Sequence, residues 1–177
     1  MVYSVNSVIQ KMELINKVAQ SGLITIDLET FFPTEEIMEF DIQVFLFRGL
    51  ILKEIEFRAA LKQHDWNQYQ DKIVAVFCST DAILPQWSFM LITTYLLPHT
   101  NKIYVGTKEE VEQLLLLKNI NEIDATKYLD AKLVIKGCGT KTVNSNAYLE
   151  ITKKLQPIAK SLMFGEPCST VPVYKKR

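Results

Sequence analysis

Cysteine, histidine and arginine are all scarce in this 177-residue chain, which holds three, two and three of them. An odd, sparse cysteine set (Cys78, Cys138 and Cys168) cannot close into the disulfide framework that staples small secreted domains. No signal-like apolar segment opens the chain, so the sequence points to a reducing cytoplasm. Net charge is missing as well, because 20 basic and 20 acidic residues cancel. That removes the positive footprint with which proteins hold nucleic acid. Nothing approaches the ~20 apolar residues of a membrane helix, and Leu114 to Leu117 is only a helix face. Six glycines and six prolines are scattered as punctuation, with no linker, repeat or low-complexity segment. Residues 1–177 therefore read as one domain.

What is present is an ordinary globular balance, 48% hydrophobic and 23% charged. A chain of this length buries about two thirds of its unfolded surface, so it needs neither disulfide nor metal to fold. Val5, Val8, Ile9, Met12 and Ile15 recur at helical spacing and predict an amphipathic helix over 4–20. Alternation over 23–28 predicts a short edge strand. Asp41 reads as a helix N-cap with Phe40 and Phe45 as a hydrophobic staple, opening a helix that runs to Gln63 and is apolar on most faces through Leu52.

From Lys72 onward strands and helices alternate. Ile73 to Phe77 is a continuous apolar run suited to a strand covered on both faces. Ser79, Thr80 and Asp81 offer caps for a helix over 82–97 with Pro85 in its first turn. A second strand falls at 103–105, and Thr107 with Glu110 makes a capping box for a helix ending near Lys118. A short helix follows over 124–129. The third strand lies at 133–135, followed by a Gly137-Cys138-Gly139 turn. A last helix starts near Ser145, is kinked or broken at Pro157, and stops at Gly165. Such alternation forces parallel strands joined by right-handed crossovers. The expectation is an α/β three-layer sandwich around one small, mainly parallel sheet.

Two cysteines carry the sharpest chemical expectation. Cys78 directly follows the first core strand and Cys138 the third, so one parallel sheet would present both thiols at its carboxyl edge, where open α/β sheets bind ligands. Cys168 lies within reach along an extended tail. Three thiolates with Asp81 as a fourth ligand would suit zinc, and three thiolates would suit an iron–sulfur cluster. No CxxC spacing marks the set, and free cysteine is also a common core residue. Cys78 alone offers a second reading. A thiol at a helix N-terminus has a lowered pKa and can act as nucleophile or redox group. The third reading is non-catalytic. The amphipathic N-terminal helix and the apolar stretch Val44 to Leu52 offer surfaces for a homodimer. Two glycines at 137 and 139 predict a tight turn where an anion could sit. His64-Asp65-Trp66 predicts a loop.

Four segments also resemble a known family. They are His64-Asp65-Trp66 through Lys72, Phe77-Cys78-Ser79-Thr80-Asp81-Ala82-Ile83-Leu84-Pro85-Gln86-Trp87, Lys136-Gly137-Cys138-Gly139, and Phe164-Gly165-Glu166-Pro167-Cys168-Ser169-Thr170-Val171-Pro172-Val173-Tyr174-Lys175. They are similar to short bacterial proteins, mainly from Bacteroidetes, catalogued as a domain of unknown function. The resemblance spans nearly the whole chain and implies a stand-alone, soluble, single-domain bacterial protein. It transfers no activity, cofactor or catalytic residue.

Overall fold

The three strands expected in one sheet lie in two. In the computed structural model, which describes residues 22–137 and 139–177, β2 (Ile37–Asp41), β3 (Ile73–Phe77) and β4 (Ile103–Val105) form one sheet in that order. The other has the order β1 (Leu23–Asp27), β5 (Lys132–Lys136), β6 (Ser161–Glu166), β7 (Ser169–Lys175). Four helices accompany them: α1 (Glu54–Gln63), α2 (Gln86–Leu96), α3 (Lys108–Asn121) and α4 (Ser145–Leu155). The chain divides into two compact units. One takes in Ala125–Lys136 and Leu155–Arg177 with the strand before Asp27; the other is Asp27–Asp124 with Gly137–Lys154. The helix expected over 4–20 lies outside the described residues.

The larger unit is an α/β sandwich, and β3 shows why. It pairs in parallel with β2, from Ile37 opposite Ile73 to Asp41 opposite Phe77, and in parallel with β4. Ile73 through Val76 are all buried, as a strand covered on both faces requires. Val74 and Val76 pack with Phe40 and Ile42 against Phe57 and Leu61 of α1 and Ile92 and Leu96 of α2. Ile73, Ala75 and Ile37 face the other way, onto Val111 and Leu115 of α3. Alternating side chains thus serve two helical layers. The capping box of α3 is present, with Thr107 N–H donating to Glu110 Oε2 at 2.8 Å and Glu110 N–H to Thr107 Oγ1 at 3.3 Å.

The helix expected over 41–63 is corrected. Asp41 ends β2 and caps only a 3-10 turn, Ile42–Phe45, accepting from Gln43 N–H at 2.9 Å. The Phe40–Phe45 contact exists, with ring centroids 5.1 Å apart, but it closes a strand end. A tight turn then bridges Phe47 to Ile51, with Arg48 and Gly49 at φ +51° and +71°, which no helix tolerates. The apolar residues that resembled a buried helix belong to a strand, a turn and a loop. Similarly, α2 starts at Gln86 rather than 82. Pro85 keeps Leu84 out of the helical region and stands as the N-cap.

The smaller unit carries the second correction. Its β5 and β6 are parallel, Lys132 opposite Ser161, and β6 and β7 form an antiparallel hairpin. The last helix ends at Leu155, two residues before Pro157, so Ser161–Glu166 is a strand and not the end of a helix. Leu133, Val134, Ile135 and Leu162 are buried. No helix among the described residues is long and apolar enough to cross a membrane.

Candidate functional site

The carboxyl edge of the β2–β3–β4 sheet is built by hydrogen bonds between loops distant in sequence. Asp41, the last residue of β2, accepts from Gln43 N–H and, at 3.0 Å, from Ser79 N–H just past β3. Partial burial pushes its carboxyl up, but the Ser79 and Gln43 hydrogen bonds outweigh this and hold it below the usual range. Thr80 Oγ1 donates to the Gly49 carbonyl at 2.6 Å, fastening the 47–51 turn to the 79–85 loop. Cys78 Sγ lies 3.5 Å from the same Thr80 oxygen.

That arrangement fixes the direction of the Cys78 bond. A hydroxyl has one hydrogen, and Thr80 has committed it to Gly49, so only its lone pairs face the sulfur. Any hydrogen bond between the two therefore has Cys78 as its donor. No helix begins beside it, since α2 starts eight residues on. The dipole that motivated an activated nucleophile is not at hand. Iodoacetamide at neutral pH is expected to modify the exposed Cys168 at the rate of an unfolded thiol and the half-buried Cys78 at least about tenfold more slowly. Mass-spectrometric time courses decide it, and a Cys78 that reacts first would restore the nucleophile reading.

The premise that placed the thiols together was a single shared sheet. Cys78 follows a strand of one sheet and Gly137 a strand of the other, so the argument from a shared edge no longer holds. Cys138 itself lies outside the described residues. Cys168 sits in the β6–β7 turn of the smaller unit, and Cys78 belongs to the larger one. Asp81 is exposed and makes no ion pair among the described residues. Among the described residues no group of three His, Cys, Asp or Glu side chains could hold a metal ion.

The loop after β5 does bind an anion, and the chain supplies it. The Glu29 carboxylate accepts from Gly139 N–H, from Thr140 N–H at 3.0 Å, from Lys141 N–H at 3.2 Å and from Thr140 Oγ1 at 3.3 Å. Desolvation raises its pKa, yet the Thr140, Lys141 and Gly139 donors pull it net below the ordinary value. A Cβ on Gly139 would fall within 2.5 Å of Glu29 Oε1, so only glycine admits the carboxylate this closely. Sequence reasoning missed Glu29, which stands 110 residues from its partners.

His64 lies in the loop after α1, as expected, and its half-buried ring packs among aromatic side chains. Its ring makes edge contacts with Phe40, Phe45 and Trp66 and stacks on Tyr69. Burial in this aromatic box pushes the imidazole down, and the nearby Asp65 charge only partly offsets that.

One feature at the sheet edge lacks a structural purpose. Leu50, Ile51 and Leu52 from the turn face Ala82, Ile83 and Pro85 from the loop across a shallow groove of about 470 Å³, with Asp81 on its rim. Ile83 is 96% exposed, Ile51 57% and Leu50 55%. Phe47 on the same turn is held under the Lys53 ammonium, 3.6 Å from the ring centroid, with the Arg48 guanidinium 5.3 Å away. Arg48 adopts a left-handed conformation that is uncommon for a side-chain-bearing residue and makes no ion pair among the described residues.

The chain belongs to the family described as protein of unknown function DUF2480, whose model matches residues 12–176. No curated protein and no solved structure matches it.

Proposed function

We propose that this member of the DUF2480 family is a non-catalytic assembly module that pairs with a second copy of itself through the 47–52 and 79–85 groove. The observation that carries this reading is Ile83, an isoleucine almost fully in water beside two more exposed aliphatic residues. Contiguous exposed apolar surface of this kind marks interaction sites. Charge supports a second copy as the occupant. A two-fold interface pairs residue i with j and j with i; Asp81 lines the groove and Arg48 stands on the turn that supplies one of its walls, each without an ion-pair partner among the described residues. Each would meet its opposite across the axis. We place the module in a reducing bacterial cytoplasm, where an exposed Cys168 stays a thiol.

Sedimentation equilibrium over a range of concentrations tests the reading. Wild type is expected to dimerise, and Ile83→Asp to be monomeric with unchanged circular dichroism and thermal midpoint, because the Ile83 side chain is almost fully exposed. Arg48→Asp and Asp81→Arg should each weaken the dimer about tenfold, and the double variant should recover it. A wild type that stays monomeric at high concentration overturns the proposal. Stoichiometric zinc or iron in anaerobically purified protein would instead favour a thiolate centre on Cys78, Cys138 and Cys168.

A further inference from the structure

The opposite, amino-terminal edge of the same sheet holds a pocket of about 290 Å³, and its lining is unlike the groove described above. Its apolar wall comes from buried Phe32, Ile73 and Leu115 and half-buried Tyr104. Four charged side chains ring it: Glu35, Lys102, Lys118 and Glu122. Lys102 and Glu35 neutralise each other at 2.6 Å. Asn119 is also committed, donating to the Phe31 carbonyl at 2.8 Å and so tying α3 to the 32–35 loop. Lys118 in the last turn of α3 and Glu122, its C-cap, are left with no ion pair to each other or to any described residue. The Tyr104 hydroxyl likewise has no hydrogen-bond partner among the described residues.

We infer that this pocket binds a free α-amino acid with an aromatic or branched apolar side chain. Three observations select that class. The volume admits about ten water-sized groups at ~30 Å³ each, the size of one large amino acid. The wall offers aromatic and aliphatic surface for an apolar body, in the pattern of small-molecule sites with few polar groups. The rim carries one spare cation and one spare anion and no net charge, so a ligand of either single charge satisfies only one of them. A zwitterion satisfies both, its carboxylate at Lys118 and the Tyr104 hydroxyl, its ammonium at Glu122. Both ends are then charge-assisted hydrogen bonds at the exposed rim, above the apolar wall.

Titration of the isotope-labelled full chain with four probes, followed by amide chemical shifts, tests this. L-phenylalanine and L-leucine are expected to bind saturably at millimolar concentration or tighter, shifting amides of 32–35, 102–104 and 115–122. Phenylpropionate, which lacks the ammonium, and phenethylamine, which lacks the carboxylate, should each bind at least about tenfold more weakly. Lys118→Gln should weaken L-phenylalanine and phenylpropionate while leaving phenethylamine unchanged; Glu122→Gln should weaken L-phenylalanine and phenethylamine while leaving phenylpropionate unchanged. Both residues are at the surface of α3, and unchanged wild-type-like spectra confirm that each variant folds. No saturable binding of any probe overturns the inference, as does equal binding of all four, which would mean apolar contact alone. The dimerisation of the opposite edge is measured separately and does not bear on this outcome.

Discussion

Replacing Phe40 with alanine should remove about 3–5 kcal/mol of stability, a large part of the 5–15 kcal/mol that holds a typical domain folded. Phe40 is 1% exposed and sits at the centre of the aromatic cluster. Its ring stacks on Phe45 at 5.1 Å and on Trp66 at 5.3 Å, and meets His64 edge-on at 5.5 Å. Truncation leaves a cavity whose walls are fixed from three sides. Trp66 is pinned by its own Nε1–H bond to the Leu61 carbonyl and by stacking on Tyr95, and cannot collapse inward. The functional consequence follows from position. Phe40 precedes Asp41, and Phe45 closes the 3-10 turn that leads into the proposed docking surface, so loss of the Phe40 ring should also loosen the 47–52 turn. Urea unfolding monitored by tryptophan fluorescence measures the first effect, and hydrogen exchange of the 42–52 amides the second. A Phe40→Ala variant within 1 kcal/mol of wild type would mean that the cluster contributes far less than its burial implies.

Gly165→Ala is expected to damage the other unit. Gly165 has φ +115°, a region nearly closed to L side chains, and a Cβ there would lie 2.6 Å from the Ser169 carbonyl oxygen. The obstruction is backbone, so no side-chain rotation relieves it. The conformational strain alone costs about 1–3 kcal/mol, and the clash adds to it by forcing Gly165 and Thr170 out of register. Gly22→Ala is the control. Its φ of +62° carries a left-handed penalty of about 1–2 kcal/mol, but no described residue lies within 4 Å of the added methyl. Amide exchange in β6 and β7 should accelerate strongly for Gly165→Ala and hardly at all for Gly22→Ala. Equal effects in the two variants would show that φ, and not the Ser169 carbonyl, decides the cost.

Some of this was legible from residues alone. Apolar runs at 73–77, 103–105 and 133–135 marked strands because unbroken β-branched segments suit a sheet covered on both sides. Thr107 and Glu110 marked the start of α3 because a capping box is complete within four residues. Both are local devices, satisfied by neighbours in sequence. Asp41 shows where locality ends. Its capping bond to Gln43 was readable, but whether it opened a helix or a 3-10 turn depended on β2 pairing with β3, more than thirty residues away.

The candidate sites were less legible, for the same reason. The expected thiol centre assumed that strands with the same pattern share a sheet, and pattern carries no information on which strands pair. Arg48 and Ile83 look like ordinary members of polar and apolar stretches; the Thr80–Gly49 hydrogen bond, spanning 31 residues, and the packing of Leu52, Ala82 and Leu84 on one core set their loops side by side. The lining of the amino-edge pocket comes from four separate segments, and none of them forms a motif.

By itself, then, the sequence determined the class of this protein: a charge-balanced α/β chain with its strands, its best-capped helix and its scarce thiols in readable places. The tertiary structure decided the partition into two sheets, the placing of Cys78 beside Thr80, the capture of Glu29 by the 139–141 loop, and the two opposite edges where binding is proposed. The physical reason is range. Propensity, capping and periodicity act over a few residues, whereas strand pairing and pocket formation are settled by burial and hydrogen bonds between segments that the sequence keeps far apart.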